Sequence, residues 1–160
     1  MADQQLFIKM ALDSWNMYVK RSSDLFNSLT DEQVMKETSP GRNTGTYLFG
    51  HLVAVHDRII EHLFLGERLH PELDEAFLKN PDKSGFDMPS VATLREYWIT
   101  VHETLANYFK NMQAADWFSR HNSVSEEDFA KEPHRNKLNL LMNRTGHLAY
   151  HYGQVIYLKK

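Results

Sequence analysis

The sequence of 160 residues contains no cysteine. Disulfide bonds, thiolate metal ligands and a cysteine nucleophile are therefore excluded, and any metal ion must be held by histidine, carboxylate and water. No apolar run approaches the ~20 residues that a membrane-spanning helix needs. The N-terminus has neither the basic start nor the apolar core of a signal peptide. We therefore expect a cytoplasmic protein that does not act at a membrane.

An excess of positive charge is also missing. The chain has 18 lysines and arginines against 21 aspartates and glutamates, a net charge of −3, and its basic residues are scattered. This pattern offers no electrostatic footprint for nucleic acid. An apolar fraction of 42% and a charged fraction of 24% are ordinary for a globular protein. The length predicts a single domain that spans residues 1–160.

Strand signals are weak, whereas four segments have the spacing of apolar residues that is typical of amphipathic helices. We predict helices over residues 3–29, 44–65, 90–112 and 136–158. The connections 66–89 and 113–135 far exceed the ~2–8 residues that link antiparallel helices in simple bundles. The sequence therefore predicts an all-α four-helix bundle with long crossover connections.

Local signals refine the helix ends. Asn43 or Thr44 can cap the second helix, and Gly66 is expected to end it in the usual position after the last turn. Gly146 and Gly153 fall inside the fourth helix, where each destabilises by roughly 1 kcal/mol relative to alanine. Close helix approach is a reason to tolerate them.

His147 and His151 lie four residues apart near the C-terminus. In a helix they share one face at about 6 Å along the axis, so that both can bind one divalent ion. A zinc-like site needs three or four ligands. Taken alone, the pair is explained more simply as two packing residues. The same holds for His51, which lies on the apolar stripe of the second helix.

The three histidines can meet only in one arrangement of helices. His51 lies about seven residues after the start of the second predicted helix, His151 about seven before the end of the fourth, and His147 about eleven before it. In a parallel pair of helices their levels differ by about 6–12 Å, whereas in an antiparallel pair they coincide. A shared site therefore requires these helices to run in opposite directions, with one connection crossing the full bundle.

Two motifs carry a resemblance over residues 3–158. They are Tyr47-Leu-Phe-Gly-His51-Leu52 and His147-x-x-x-His151-x-Gly-Gln154, and with them the chain resembles the DinB/YfiT-like family of proposed metalloenzymes. The resemblance implies a four-helix bundle with up-down-down-up threading and a crossover between the second and third helices. It also implies a divalent metal ion, often nickel or zinc, held by His51, His147 and His151, and a homodimer.

Three neutral imidazoles leave coordination positions open, as in catalytic sites. The ion can lower the pKa of a bound water to about 7 or activate a substrate thiolate. The resembled family includes S-transferases that use low-molecular-weight thiols and enzymes proposed to be hydrolases. We therefore hypothesise a metal-dependent enzyme for a small-molecule substrate, with thiol transfer and hydrolysis both open. The alternative is a non-enzymatic, dimeric stress-response or interaction protein whose metal site is structural or vestigial.

Other polar residues remain with several interpretations or none. Gln154 orients a ligand, closes the site or is a surface amide. Arg144 either attracts an anionic substrate or, more simply, forms a structural salt bridge. His56 falls one residue beyond the apolar stripe and is expected to be peripheral. Asp57 and Glu61 are not clearly on the face of His51, so the sequence identifies no general base.

Overall fold

A computed structural model describes residues 2–159, which are helical and contain two isolated β-bridges but no strand. The α-helices are α1 (Ala2–Ser28), α2 (Asp31–Val34), α3 (Gly45–His62), α4 (Val91–Asn111), α5 (Ala114–Trp117), α6 (Glu126–Lys131) and α7 (Lys137–Val155). The all-α prediction is therefore confirmed. In this described range, none of the helices has both the length and the apolar composition that crossing a bilayer demands.

The four long helices, α1, α3, α4 and α7, lie close to the four predicted segments. Side-chain caps fix the starts of two of them: the Thr44 hydroxyl accepts from the Tyr47 amide before α3, and the Ser90 hydroxyl accepts from the Thr93 amide before α4. The predicted end of the second helix is wrong. The α-helix ends at His62, and the residue with positive φ beyond it is Phe64 rather than Gly66.

The core lies where these long helices meet. The rings of Phe26 in α1 and Phe49 in α3 stack at a centroid distance of 3.8 Å, and Trp98 of α4 lies against both. Nearer the start of α1, Trp15 contacts the imidazoles of His56 and His102 in the later turns of α3 and α4. From Phe26 back to Trp15 along α1, the contacts advance from Phe49 to His56 along α3 and from Trp98 to His102 along α4. Helix α1 therefore runs opposite to α3 and α4.

Two glycines of α3 allow other segments to approach it. A Cβ atom on Gly50 would lie 2.7 Å from Cδ1 of the Phe77 ring and closer to the next ring atoms, and one on Gly45 would collide with the Val34 carbonyl. The prediction of close approach at Gly146 and Gly153 is wrong, since a Cβ atom at either would meet nothing within 4 Å. The close packing is therefore on α3 rather than α7.

A buried carboxylate attaches the long connection after α3 to that helix. Asp57, with 0% of its surface exposed, accepts hydrogen bonds from Arg68 Nε and from the amides of Leu69 and His70. Arg68 also forms a two-pronged ion pair with Asp74. A 3₁₀ turn (Pro71–Leu73) and a π-helical turn (Glu75–Lys79) follow, and they pack against α3. The connection therefore continues as part of the wall beside His51.

Candidate metal centre

The three histidines predicted as ligands come together in the structure. His147 Nε2 lies 3.1 Å from His51 Nε2 and 3.0 Å from His151 Nε2, and all three nitrogens lie within 4.8 Å of one another. His147 and His151 are one turn apart on α7, and His51 is in the second turn of α3. The spacing of the two α7 histidines and the meeting with α3 thus agree with the sequence-based geometry.

Contacts at the other end of α3 explain why the levels match. The carbonyl of His62, the last residue of α3, accepts from the Asn122 amide, while the Lys137 amide at the start of α7 donates to Ser119. The end of α3 therefore lies beside the start of α7, and its second turn lies beside the last turns of α7. This antiparallel pairing is the arrangement that a shared site requires.

Two of the rings are held in one tautomer by their neighbours. His51 Nδ1 donates to the carbonyl of Phe77 at 2.8 Å, and His151 Nδ1 donates to Gln154 Oε1 at 2.7 Å. A neutral imidazole that carries its proton on Nδ1 has a bare lone pair on Nε2. Such donation to a carbonyl or amide oxygen is the usual way in which proteins orient metal-binding histidines. Gln154 therefore orients the His151 ring, which is the first of its interpretations.

Burial keeps these imidazoles neutral. It lowers the pKa of His147 to about 4, with additional effects from His151, His51 and the Arg144 cation. Burial also lowers the pKa of His51 and of His151, against the smaller opposing effects of their hydrogen bonds to Phe77 and Gln154. A histidine must be deprotonated to bind a metal ion. At neutral pH the three rings are therefore in the form that ligates.

The nitrogen atoms fit a divalent cation better than they fit one another. The lone pairs of His51 and His151 both face His147 Nε2, and one N–H on that atom cannot satisfy both at full strength. If His147 carries its proton on Nδ1, three lone pairs converge with no proton between them. A cation satisfies all three, and imidazole is a good ligand for zinc and nickel.

Comparison with protein families agrees with this geometry. A sequence profile of the DinB superfamily matches residues 19–155, which is most of the chain. The chain belongs to the DinB superfamily. No curated protein matches the sequence. The matched range includes all three histidines of this DinB protein.

A surface cavity of about 530 Å³ in the DinB chain is lined by two neighbours of His151. Tyr150 and Gln154 form part of its wall, and both contact His151: the Tyr150 ring lies 5.0 Å from the imidazole, and Gln154 accepts its proton. The other lining residues belong to the loop before α3 and to the C-terminal turn, namely Thr38, Ser39, Gly41, Arg42, Asn43 and Tyr157. A small molecule in this cavity would therefore contact Tyr150 and Gln154, the residues that touch His151.

Sequence reasoning missed a second histidine pair in this DinB protein. His56 was predicted to be peripheral, but it is 0% exposed, and its Nδ1 lies 3.0 Å from His102 Nε2. His102 Nδ1 in turn donates to the Trp98 carbonyl at 2.7 Å. His56 Nε2 is buried and has no hydrogen-bond partner among the described residues. The continuous apolar sequence from Leu52 to Val55 was the signal that α3 is buried on more than one side.

The structure also limits the roles of two charged residues. Asp57 is occupied by three donors from residues 68–70, so it is not free to act as a base at the metal centre. The prediction that Arg144 forms a structural salt bridge is wrong, since no carboxylate of residues 2–159 pairs with it. Arg144 instead acts as a positive charge near the site, lowering the pKa of His51 and His147.

Proposed function

We propose that this protein is a metal-dependent enzyme in which His51, His147 and His151 bind one divalent ion, nickel or zinc, and that it transfers a group to a low-molecular-weight thiol. The observation that carries the proposal is the convergence of three Nε2 atoms. In His51 and His151 the Nδ1 atom donates a hydrogen bond, which leaves the Nε2 lone pair without a proton. When bound, such an ion supplies Lewis-acid chemistry that lowers the pKa of a coordinated thiol or water.

The residues of the chain have separate tasks in this proposal. Phe77 and Gln154 hold the rings of His51 and His151 in orientation. The cation of Arg144 favours a negatively charged sulfur or substrate group near the histidines. In the transfer itself, a carbon–sulfur bond forms, the leaving group departs with its electron pair, and the thiol proton passes to water. Hydrolysis of the same substrate, with water in place of the thiol, is the competing reaction.

We also propose that the long helices form an up-down-down-up bundle. Support comes from the opposite directions of α1 and α3, and of α3 and α7, seen in their end contacts. The bundle is proposed to pair with a second copy of the chain. Exposed apolar residues on α1 and α7, including Phe7, Met10 and Met142, surround a shallow groove and support this partner. Light scattering after size exclusion would give the mass in solution, and a monomer would contradict the pairing.

The enzymatic proposal is tested with protein reconstituted with zinc or nickel. Thiol consumption and product hydrolysis are followed with a panel of electrophilic small molecules, for the wild type and for His51→Ala. We expect metal-dependent thiol transfer in the wild type and at least a hundredfold loss in the variant, which keeps its helical circular dichroism.

The non-enzymatic alternative gives different results in the same experiment. If the ion is structural, its removal melts the fold or separates the dimer, and His51→Ala does the same. If hydrolysis proceeds without thiol and the thiol is not incorporated, the protein is a hydrolase rather than a transferase. Either result would refute the thiol-transfer proposal.

A further inference from the structure

Two arginines on the helices that carry the three histidines lack a counter-ion among residues 2–159. Arg58 of α3 and Arg144 of α7 are both partly buried, and the Nε atom of each is buried without a hydrogen bond to any of residues 2–159. Neither forms an ion pair within that range. Other partly buried arginines of the chain are matched: Arg68 binds Asp57 and Asp74, and Arg95 binds Asp31.

The antiparallel pairing of α3 and α7 places these two arginines at one level. His51 meets His151 across the helix pair. Arg58 lies seven residues beyond His51 on α3, and Arg144 lies seven residues before His151 on α7. Seven residues are two helical turns, so each arginine is on nearly the same face as its histidine and about 10 Å farther along the axis. Arg144 is also only one turn from His147.

The electrostatic surroundings agree with this placement. Burial, and then the cation of Arg58, lower the pKa of Arg144, and no carboxylate acts against them. Arg58 helps to lower the pKa of Asp74, but the charge of that carboxylate is already matched by the Arg68 fork. Two neighbouring cations that lose part of their hydration without a counter-ion destabilise the fold. A bound anion would remove this penalty.

We propose that Arg58 and Arg144 bind a carboxylate of the substrate, so that the three-histidine centre selects small thiols that carry carboxylates. The inference rests on the proposed thiol-transfer function, which it makes more specific. The planar guanidinium is suited to this task because it donates two parallel hydrogen bonds to a carboxylate. A flexible thiol of tripeptide size spans two helical turns, with its sulfur at the histidines and a carboxylate at the arginines.

Calorimetric titration of the zinc-loaded protein tests the proposal with four probes. These are glutathione, S-methylglutathione, 2-mercaptoethanol and inorganic phosphate. We expect Arg58→Gln and Arg144→Gln each to weaken binding of S-methylglutathione at least tenfold, while binding of 2-mercaptoethanol changes less than twofold. Arg21→Gln removes an exposed arginine and the same charge, and it should leave all four affinities unchanged. Arg144→Lys should recover part of the loss.

A stability measurement separates binding from a structural role. Because the two cations lack partners, Arg58→Gln and Arg144→Gln should melt at the same temperature as the wild type or above it. Unchanged binding of S-methylglutathione in both variants would overturn the proposal, as would an equal loss in Arg21→Gln. Phosphate binding more tightly than S-methylglutathione would overturn the choice of a carboxylate.

Failure of the proposed function would look different. The arginines belong to the chain itself, so metal-free protein should still bind S-methylglutathione, and the arginine variants should still weaken it. If this binding is found but zinc-loaded protein neither binds 2-mercaptoethanol nor transfers a group to a thiol, the carboxylate site stands and the thiol-transfer function fails. If thiol transfer is found and the arginine variants are normal, the function stands and the carboxylate site fails.

Discussion

Replacing Gly50 by alanine should weaken metal binding although Gly50 carries no ligand. The added Cβ would lie 2.7 Å from Cδ1 of the fully buried Phe77 ring and nearer still to two other ring atoms. Ordinary carbon contacts begin near 3.5 Å, so the ring must move by about 1 Å or more. The Phe77 carbonyl, which orients His51, belongs to the same residue. Its displacement removes the hydrogen bond that bares His51 Nε2.

The magnitude follows from two effects. Overpacking of this kind destabilises by about 1–3 kcal/mol, and the better helix propensity of alanine returns roughly 1 kcal/mol. We therefore expect a net loss of at most about 2 kcal/mol in the free energy of unfolding. Losing the hydrogen bond behind a ligand typically weakens metal binding by about 10–100-fold. Urea denaturation and zinc titration against a chromophoric chelator measure the two quantities.

Gly153→Ala is the matched control. Gly153 lies in α7 beside His151 and Gln154, but an added Cβ meets nothing within 4 Å. It should raise stability by about 0.5–1 kcal/mol and leave zinc affinity unchanged. In the background of Phe77→Ala, where the ring is gone, Gly50→Ala should no longer destabilise. The reasoning is refuted if Gly50→Ala binds zinc like the wild type, or if it destabilises equally with and without the Phe77 ring.

Three further substitutions or conditions test other contacts. Gln154→Ala removes the acceptor of His151 and should weaken zinc binding about tenfold or more, whereas Gln154→Glu keeps an acceptor and most of the affinity. Burial lowers the pKa of His102 to about 4 and that of His56 well below its usual value, so the unfolded chain binds more protons as the pH falls below about 6.5. Stability should thus be full well above that pH and should fall on acidification, by about 2 kcal/mol from His102 alone on going to pH 5. A free energy of unfolding in urea that stays the same through this range would contradict the burial. Asp57→Ala leaves three buried donors without their acceptor and should destabilise by about 3–5 kcal/mol, and a loss below about 1 kcal/mol in thermal unfolding would show that the connection does not depend on it.

The helices were predictable because their signals are local. Apolar spacing marked all four long segments, and the hydroxyl of Thr44 caps the helix that it was expected to cap. The meeting of His51 with His147 and His151 was predictable because two motifs resemble those of a known family, and because the positions of these residues in their helices allow a shared site in an antiparallel pair. These features depend on residues close in the chain or on a single geometric condition.

What was missed depends on contacts between distant segments. The carbonyl that orients His51 comes from a π-helical turn in a long connection, and a backbone carbonyl has no sequence signature. Gly50 was not recognised as a close contact because its partner, Phe77, is equally distant in the chain. The wrong expectations for His56 and Arg144 share a cause. A stripe of apolar residues predicts one buried face, whereas α3 is packed on several faces. Its pairing with α7 also brings the Arg58 and Arg144 cations close enough for one to lower the pKa of the other.

Metal content, measured by elemental analysis on untagged protein purified without chelator, tests the three-histidine centre most directly. Wild type should carry about one nickel or zinc ion per chain, or take one up when the metal is added. His147→Ala should lose it, because His147 Nε2 is the atom that lies within 3.1 Å of both other ligand nitrogens. A wild type that holds no ion and takes up neither metal would show that the histidines are packing residues. An ion retained in His147→Ala would show that it binds elsewhere.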